Sequence, residues 1–72
     1  MTAQYDALRY LMYKHRMTIS ETARNAGVSR QTLANWRAGK HEPSIHTLRL
    51  LATFFDVDIN YFMGENGNWG GR

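Results

Sequence analysis

The stretch that decides the fold reads Gly27-Val28-Ser29-Arg30-Gln31-Thr32-Leu33-Ala34-Asn35-Trp36-Arg37-Ala38-Gly39-Lys40. Ser29 is a favourable N-cap, because its hydroxyl accepts a hydrogen bond from an N–H group in the first turn of a helix. Gly39 stands where a residue in the left-handed conformation commonly ends one. The stretch therefore predicts a short helix between Ser29 and Gly39.

This predicted helix has an apolar face and a polar face. At about 100° per residue, Leu33 and Trp36 lie on the face that we assign to the core. The opposite face carries amide and small side chains, with a cation at its edge: Gln31, Ala34, Asn35, Ala38 and Arg30. Arginine, glutamine and asparagine make paired hydrogen bonds with base edges, and a small alanine lets a helix approach a thymine methyl group. The alternative interpretation is a polar face that meets only solvent.

The segment before this helix favours the first interpretation. Thr18 and Glu21 have the spacing of a capping box, which predicts another short helix that begins at Thr18 and ends at Gly27. A helix, a tight glycine turn and a second helix with polar donors at its start form the helix-turn-helix arrangement. In that arrangement the second helix enters the major groove of DNA.

Over residues 5 to 64 the chain resembles the Cro and phage-repressor (XRE) family of helix-turn-helix proteins. The resemblance rests on pieces that occur in the family's order, namely Glu21-Thr22-Ala23, Gly27-Val28-Ser29, Leu33, Trp36, Gly39-Lys40, Pro43-Ser44, Leu51-Ala52 and Val57 through Gly64. It implies a phage or prophage origin. It also implies an all-α, five-helix, lambda-repressor-like DNA-binding domain in which helices 2 and 3 form the helix-turn-helix.

We assign DNA contacts to two groups of side chains in this pair of helices. Base reading is assigned to Arg30, Gln31, Ala34 and Asn35. Phosphate contacts are assigned to Thr18, Ser29, Arg37 and Lys40. The implied partner is a double-stranded DNA operator, and a Cro-like protein binds it as a homodimer on two half-sites about one helical turn apart.

The chain departs from the family's pattern in three respects. Ile19 stands where the family usually has a glutamine that helps to hold the helix on a phosphate, and Thr22 stands where it usually has a leucine. Met12 and Arg37 replace a buried arginine–glutamate pair. Changing both partners avoids leaving one buried charge unpaired, which costs several kcal/mol. Arg37 is then available for DNA phosphates.

Three further helices complete the predicted fold, at residues 3–15, 44–55 and 59–63, with Ser44 and Asp58 as caps. In the helix after Ser44, the predicted core face begins at Ile45. The predicted core consists of Leu8, Leu11, Met17, Ala23, Val28, Leu33, Trp36, Leu48, Leu51, Ala52, Phe55, Val57 and Phe62.

Leu50 and Phe54 form an i,i+4 pair about 150° away from the core face of their helix. Because a helix turns only one stripe inward, these side chains are expected to be exposed or covered by another chain. Together with Tyr61 and Met63 of the last helix, we assign them to a protein interface. The expected partner is a second copy of the chain or a repressor protein.

Length and charge limit the remaining possibilities. The 72 residues include no cysteine, so we predict one small domain at residues 1–64 without disulfides, followed by a flexible glycine-rich tail at residues 65–72. Residues 1–50 hold eight Lys and Arg against three Asp and Glu, whereas residues 51–72 hold one against three. A phosphate-facing side and a protein-facing side would have this distribution. The chain starts without an apolar run long enough for a signal peptide or a membrane span, so we expect a cytoplasmic protein without a membrane partner.

Catalytic and metal-binding chemistry finds no support in the sequence. His15, His41 and His46 lie on different predicted elements, whereas a metal site needs three or four converging ligands. Asp56 and Asp58 occupy turn and cap positions, and neither a phosphate-binding glycine loop nor a nucleophile motif is present. We therefore expect no enzyme activity, metal, cofactor or small-molecule ligand.

Two functions remain. In the first, the chain is a sequence-specific transcriptional regulator of Cro or repressor type that acts in a phage lysogeny switch. In the second, it keeps the same fold but acts as an antirepressor, which binds a repressor protein instead of DNA. The polar helix face favours the first function, which we rank ahead. Ile19 and the pair Leu50 and Phe54 favour the second.

Overall fold

Side-chain caps begin three of the four α-helices in the computed structural model, which describes residues 3–63. Thr18 and Glu21 form the predicted capping box: the Glu21 N–H donates to the Thr18 hydroxyl at 3.1 Å, and the Thr18 N–H donates to the Glu21 carboxylate at 2.9 Å. Ser29 accepts from the Thr32 N–H at 3.3 Å, and Ser44 accepts from the Thr47 N–H at 3.2 Å. Each cap satisfies an N–H group that the helix itself leaves without a partner.

The helices are α1 (Tyr5–His15), α2 (Ile19–Ala26), α3 (Arg30–Arg37) and α4 (Ile45–Phe55), and a 3-10 helix spans Ile59–Met63. The prediction of an all-helical fold is confirmed, and residues 3–63 contain no strand. The short last helix predicted at residues 59–63 is present with its predicted bounds but is a 3-10 helix, so the count of five α-helices is not confirmed. Five residues barely exceed one turn, and a segment this short closes more readily with the tighter i→i+3 bonds. Residues 1–2, Gly64 and the predicted tail at residues 65–72 lie outside the described part of the chain.

All four α-helices end with the same backbone hydrogen bond, in which an N–H group reaches back over a left-handed residue to a carbonyl five positions earlier. The bonds join Met17 to Met12, Val28 to Ala23, Lys40 to Asn35 and Val57 to Ala52, at 2.8 to 3.0 Å. The left-handed residue is glycine after α2 and α3, as predicted, but it is Arg16 after α1 and Asp56 after α4.

The core lies between the four helices and the 3-10 helix. Its buried apolar residues are Ala3, Ala7, Leu8, Leu11, Met12, Ala23, Leu33, Trp36, Leu48, Leu51, Ala52, Phe55 and Phe62. Three residues of the predicted core, Met17, Val28 and Val57, are only partly buried and pack against it. Ile45 was expected on the core face but is 54% exposed, since the core meets α4 only from its second turn, at Leu48.

Hydrogen bonds from three elements hold the segment before α1 in an extended form. The Ala3 N–H donates to the Glu42 carboxylate at 3.2 Å, and the Trp36 indole N–H donates to the Ala3 carbonyl at 3.4 Å. The Gln4 N–H donates to the Phe62 carbonyl at 2.7 Å. Gln4 is an N-cap with an extended backbone and the Ala3 carbonyl accepts from Trp36, so α1 begins at Tyr5 rather than at Ala3 as predicted. Within the described residues, no helix combines the length and the apolar character needed to cross a membrane.

Candidate nucleic-acid interface

The buried face of α3 determines which of its side chains meet solvent. Leu33 is fully buried, and Trp36 is 5% exposed. The Trp36 ring lies edge-on to Tyr5 and Phe62, at centroid distances of 5.6 and 6.2 Å. These contacts with α1 and the 3-10 helix fix the rotation of α3 about its axis. The predicted polar face of α3 is therefore turned outward.

Gln31 and Asn35 form a hydrogen-bonded pair on this outward face. The Gln31 Nε2 donates to the Asn35 Oδ1 at 3.0 Å, across one helical turn. The pair still offers the Gln31 carbonyl oxygen as an acceptor and the Asn35 amide hydrogens as donors. Ala34 is half-buried and Ala38 is exposed beside it, so no large side chain covers the pair. This arrangement can present one donor and one acceptor side by side.

Arg30 lies at the start of α3 but turns toward α2. Its side chain is exposed, and its Nε donates to the Ser20 hydroxyl at 2.9 Å. The structure thus brings Gln31 and Asn35 together and places Arg30 apart from them. The assignment of all three residues, with Ala34, to base reading stays a prediction.

All four predicted phosphate ligands are exposed, and three of them lie around α3. Ser29 lies at the beginning of the helix, and Lys40 follows its last turn. Ser29 uses its hydroxyl oxygen to accept from Thr32 and keeps its hydroxyl hydrogen for another partner. Arg37 lies near Tyr5: burial raises the pKa of the Tyr5 hydroxyl, and the Arg37 charge opposes that rise.

Thr18, the fourth predicted phosphate ligand, is fully occupied by the capping box. Its hydroxyl oxygen accepts from the Glu21 N–H and lies 3.3 Å from the Glu21 carboxylate, to which the hydroxyl hydrogen can donate. Its backbone N–H donates to the same carboxylate. A carboxylate in this position also repels a phosphate. The geometry explains Thr18 as a cap and gives no support to a phosphate contact.

The four residues of the predicted protein interface differ in burial: Phe54 is exposed, and the other three are half-buried. Phe54 is 38% exposed and packs edge-on against Phe55 at 4.8 Å, while Leu50 is half-buried. Tyr61 and Met63 are half-buried and pack against the core. The Tyr61 hydroxyl oxygen is buried without a hydrogen-bond partner in the described structure, and burial raises its pKa, assisted by Tyr10. Leu50 and Phe54 are therefore better placed for a partner than Tyr61.

Across residues 3–63, no three histidine or carboxylate side chains lie close enough together to hold a metal ion. His15 instead contacts the Phe55 ring at a centroid distance of 5.3 Å.

Ser20 is the residue of this surface that the sequence analysis missed. It lies ten positions from Arg30 on a different helix. Pairing the two requires the crossing of α2 and α3, which no local pattern supplies. The Gln31–Asn35 bond, in contrast, is an i,i+4 contact that helical spacing alone makes possible.

Comparisons with known proteins agree with this geometry. An uncharacterised HTH-type transcriptional regulator of Methanocaldococcus jannaschii is 38% identical over 54 residues, which are 75% of this chain and 82% of that protein. An uncharacterised HTH-type transcriptional regulator of Bacillus subtilis is 28% identical over 57 residues, 79% of this chain and 51% of that protein. The chain therefore spans about half the length of the Bacillus subtilis relative.

A solved structure shows the same fold. The crystal structure of an HTH_3 family transcriptional regulator from Vibrio cholerae aligns with a TM-score of 0.73 at 24% identity, over 86% of this chain and 35% of that one. Residues 8–62 match the helix-turn-helix family HTH_3, and this range contains both α2 and α3. The chain belongs to the HTH_3 family of helix-turn-helix proteins, of the XRE type.

Proposed function

We propose that the chain is a DNA-binding transcriptional regulator that reads a specific sequence by inserting α3 into the major groove. The observation that carries the proposal is the hydrogen-bonded pair Gln31 and Asn35 on the outward face of α3, opposite the buried Leu33 and Trp36. Two relatives named as HTH-type transcriptional regulators support the same conclusion.

The chemistry of the pair favours adenine as its target. Adenine presents an acceptor, N7, beside a donor, the N6 amino group, in the major groove. Gln31 and Asn35 together present the complementary acceptor and donor. Ala34 and Ala38 let the helix approach closely, and the flanking Ser29 and Lys40 reach the phosphates on either side. We expect an A·T base pair opposite Gln31 in each half-site.

The size of the domain supports binding as a homodimer. Its longest dimension is 28 Å, whereas the centres of two half-sites lie about 34 Å apart along DNA. A single copy therefore presents one recognition helix to one half-site. In a Cro-like or repressor role, which we propose within a phage lysogeny switch, a second copy would occupy the other half-site.

Gln31→Ala tests base reading directly. A duplex is first selected from a random pool with the wild-type protein, and binding is then compared on that duplex and on a scrambled one. The variant should lose roughly 1–3 kcal/mol on the selected duplex and little on the scrambled one, because a base contact carries sequence information. Lys40→Ala is the matched control. It should weaken both duplexes about equally and reduce the salt dependence. Equal weakening by Gln31→Ala on both duplexes would contradict the assignment.

A second function, binding to a repressor protein, is favoured by the exposed Phe54 beside the half-buried Leu50. Neither side chain belongs to the buried core, although the Phe54 ring contacts the core residue Phe55. Because Leu50 is already half-buried and Phe54 is 38% exposed, burying the remainder of both on association would contribute about 2–3 kcal/mol before entropic costs. This stabilisation applies equally to a homodimer and to a complex with a repressor.

Sedimentation separates the two functions. A dimer that binds the selected duplex supports the Cro-like role, whereas a monomer that binds a repressor domain and no duplex supports the antirepressor role. The double variant Leu50→Ser with Phe54→Ser should stay folded and lose its association, because neither side chain is one of the buried core residues. Full association of this variant would place the interface elsewhere.

A further inference from the structure

We propose that Ser20 positions Arg30 for a DNA phosphate rather than for a base edge. In this arrangement Arg30 strengthens binding to any duplex, and the pair Gln31 and Asn35 carries the sequence preference. The inference rests on the proposed function and divides the α3 surface into two parts with different roles.

The hydrogen bond between the two helices restricts what Arg30 can present. A guanidinium group has five N–H donors in one rigid plane. With Nε held 2.9 Å from the Ser20 hydroxyl, one hydrogen on each of the two terminal nitrogens remains at the far end of the guanidinium group, and these two hydrogens form a fork. Such a fork matches the paired oxygens of a phosphate.

The position of Ser20 sets the direction of this fork. Ser20 is the second residue of α2, and in helix-turn-helix complexes the first helix of the pair crosses the DNA backbone. A guanidinium group docked on the first turn of α2 therefore lies beside the backbone. Gln31, about 100° further around α3, is exposed and bonds to Asn35 of its own helix instead of to α2.

The neighbouring residues leave this part of the surface without another strong phosphate ligand. The hydroxyl and the backbone N–H of Thr18 both donate to the Glu21 carboxylate. Ile19 has no polar side-chain atom. Within the described residues Arg30 forms no ion pair; the ion pair found there joins Arg9 and Asp6. Its charge is thus available for an anion. The isoleucine at position 19 is tolerated in this arrangement because the phosphate ligand comes from α3 instead of α2.

Two alanine variants test the proposal on the selected and scrambled duplexes across a series of salt concentrations. Arg30→Ala should weaken binding to both by the same factor and reduce the slope of log K against log salt by about 1. Ser20→Ala should weaken both about two- to fivefold, as expected for one modest hydrogen bond. It should have no further effect when Arg30 is already alanine.

Matched controls separate positioning from general effects. Arg49→Ala removes the same charge from the exposed side of α4, and Thr53→Ala removes an exposed hydroxyl from the same helix. We expect neither to reproduce these losses. Ser20→Thr keeps the hydroxyl and should bind like the wild type. In the DNA-free protein, the NMR signal of the Arg30 Nε–H should exchange with water faster in Ser20→Ala than in the wild type.

The outcomes distinguish this inference from the proposed function. A wild-type protein that binds neither duplex overturns both. A wild-type protein that binds the selected duplex, combined with an Arg30→Ala loss confined to that duplex, makes Arg30 a base-reading residue and overturns only the inference. Equal effects of Ser20→Ala with and without Arg30 also overturn it, because a positioning residue acts only through its partner.

Discussion

Thr22 is fully buried in α2, and its hydroxyl has no hydrogen-bond partner in the described structure. A hydroxyl removed from water without a new partner costs about 1–3 kcal/mol. The resemblance places a leucine at this position, so the family's usual residue carries no such cost. Thr22 therefore lowers the free energy of unfolding of this domain.

Thr22→Val replaces the buried hydroxyl with a methyl group of nearly the same shape. We expect the free energy of unfolding in urea to rise by about 1–2 kcal/mol, because the cost of the unpartnered hydroxyl disappears. Thr53→Val is the matched control on the exposed side of α4, where the change should be small. A variant at position 22 that is less stable than the wild type would show that the hydroxyl finds a partner in solution.

At the scale of helices, the left-handed residues after α1 and α4 carry a conformational cost. Arg16 and Asp56 have φ angles of 56° and 58°, where an L-residue pays about 1–2 kcal/mol relative to the right-handed region. Asp adopts this conformation more easily than Arg. The larger cost therefore falls on Arg16, at the turn between α1 and α2.

Arg16→Gly should stabilise the domain by about 0.5–1 kcal/mol, since relief of the left-handed strain exceeds the extra entropy of glycine in the unfolded chain. Gly27→Ala is the reciprocal test, because Gly27 has a φ of 78° and a Cβ there would meet no atom within 4 Å. Its expected loss of about 1 kcal/mol is therefore purely conformational. Thermal melts of both variants check the signs. A destabilising Arg16→Gly would mean that the arginine side chain makes a contact worth more than the strain.

Local signals explain which helix boundaries the sequence predicts. Hydroxyl caps and the glycines that follow α2 and α3 act within a few residues, so Ser29, Ser44 and the Thr18 box are visible in the sequence. The end of α1 carries no such signal, because Arg16 adopts its conformation only to complete the turn into α2. The 3-10 geometry of residues 59–63 likewise depends on packing against α1 and α4.

The same distinction applies to the candidate site. Spacing along one helix predicts which α3 side chains face outward, and the burial of Leu33 and Trp36 agrees with it. The contact of Arg30 with Ser20 depends on how two helices cross. For this reason the sequence alone places Arg30 with Gln31 and Asn35, and the contact with Ser20 is visible only in the structure.

At the scale of the whole molecule, Trp36 connects α3 to the rest of the domain. Its ring contacts Tyr5 of α1 and Phe62 of the 3-10 helix, and its indole N–H donates to the Ala3 carbonyl. A domain of this size has a net stability of only a few kcal/mol. The orientation of α3 and the stability of the fold therefore depend on the same side chain.

Trp36→Ala should cost about 3–5 kcal/mol, enough to unfold most of the protein at room temperature. Circular dichroism should show the loss of helix. Tyr13→Ala is the control, because Tyr13 is an aromatic residue of α1 that is 81% exposed. It should melt near the wild-type temperature. A Trp36→Ala variant that melts there as well would show that Trp36 contributes little to the core.

The hydrogen bond from the Gln4 N–H to the Phe62 carbonyl brings the two ends of the described domain side by side. The order of the helices along the polypeptide can therefore be changed without changing how the helices pack. A short glycine linker from Met63 to Ala3 would close the chain into a ring, and the ring can be reopened in the exposed loop between α3 and α4. Such a circular permutant keeps α2 and α3 consecutive, and its new ends follow the C-terminal end of α3 and precede α4.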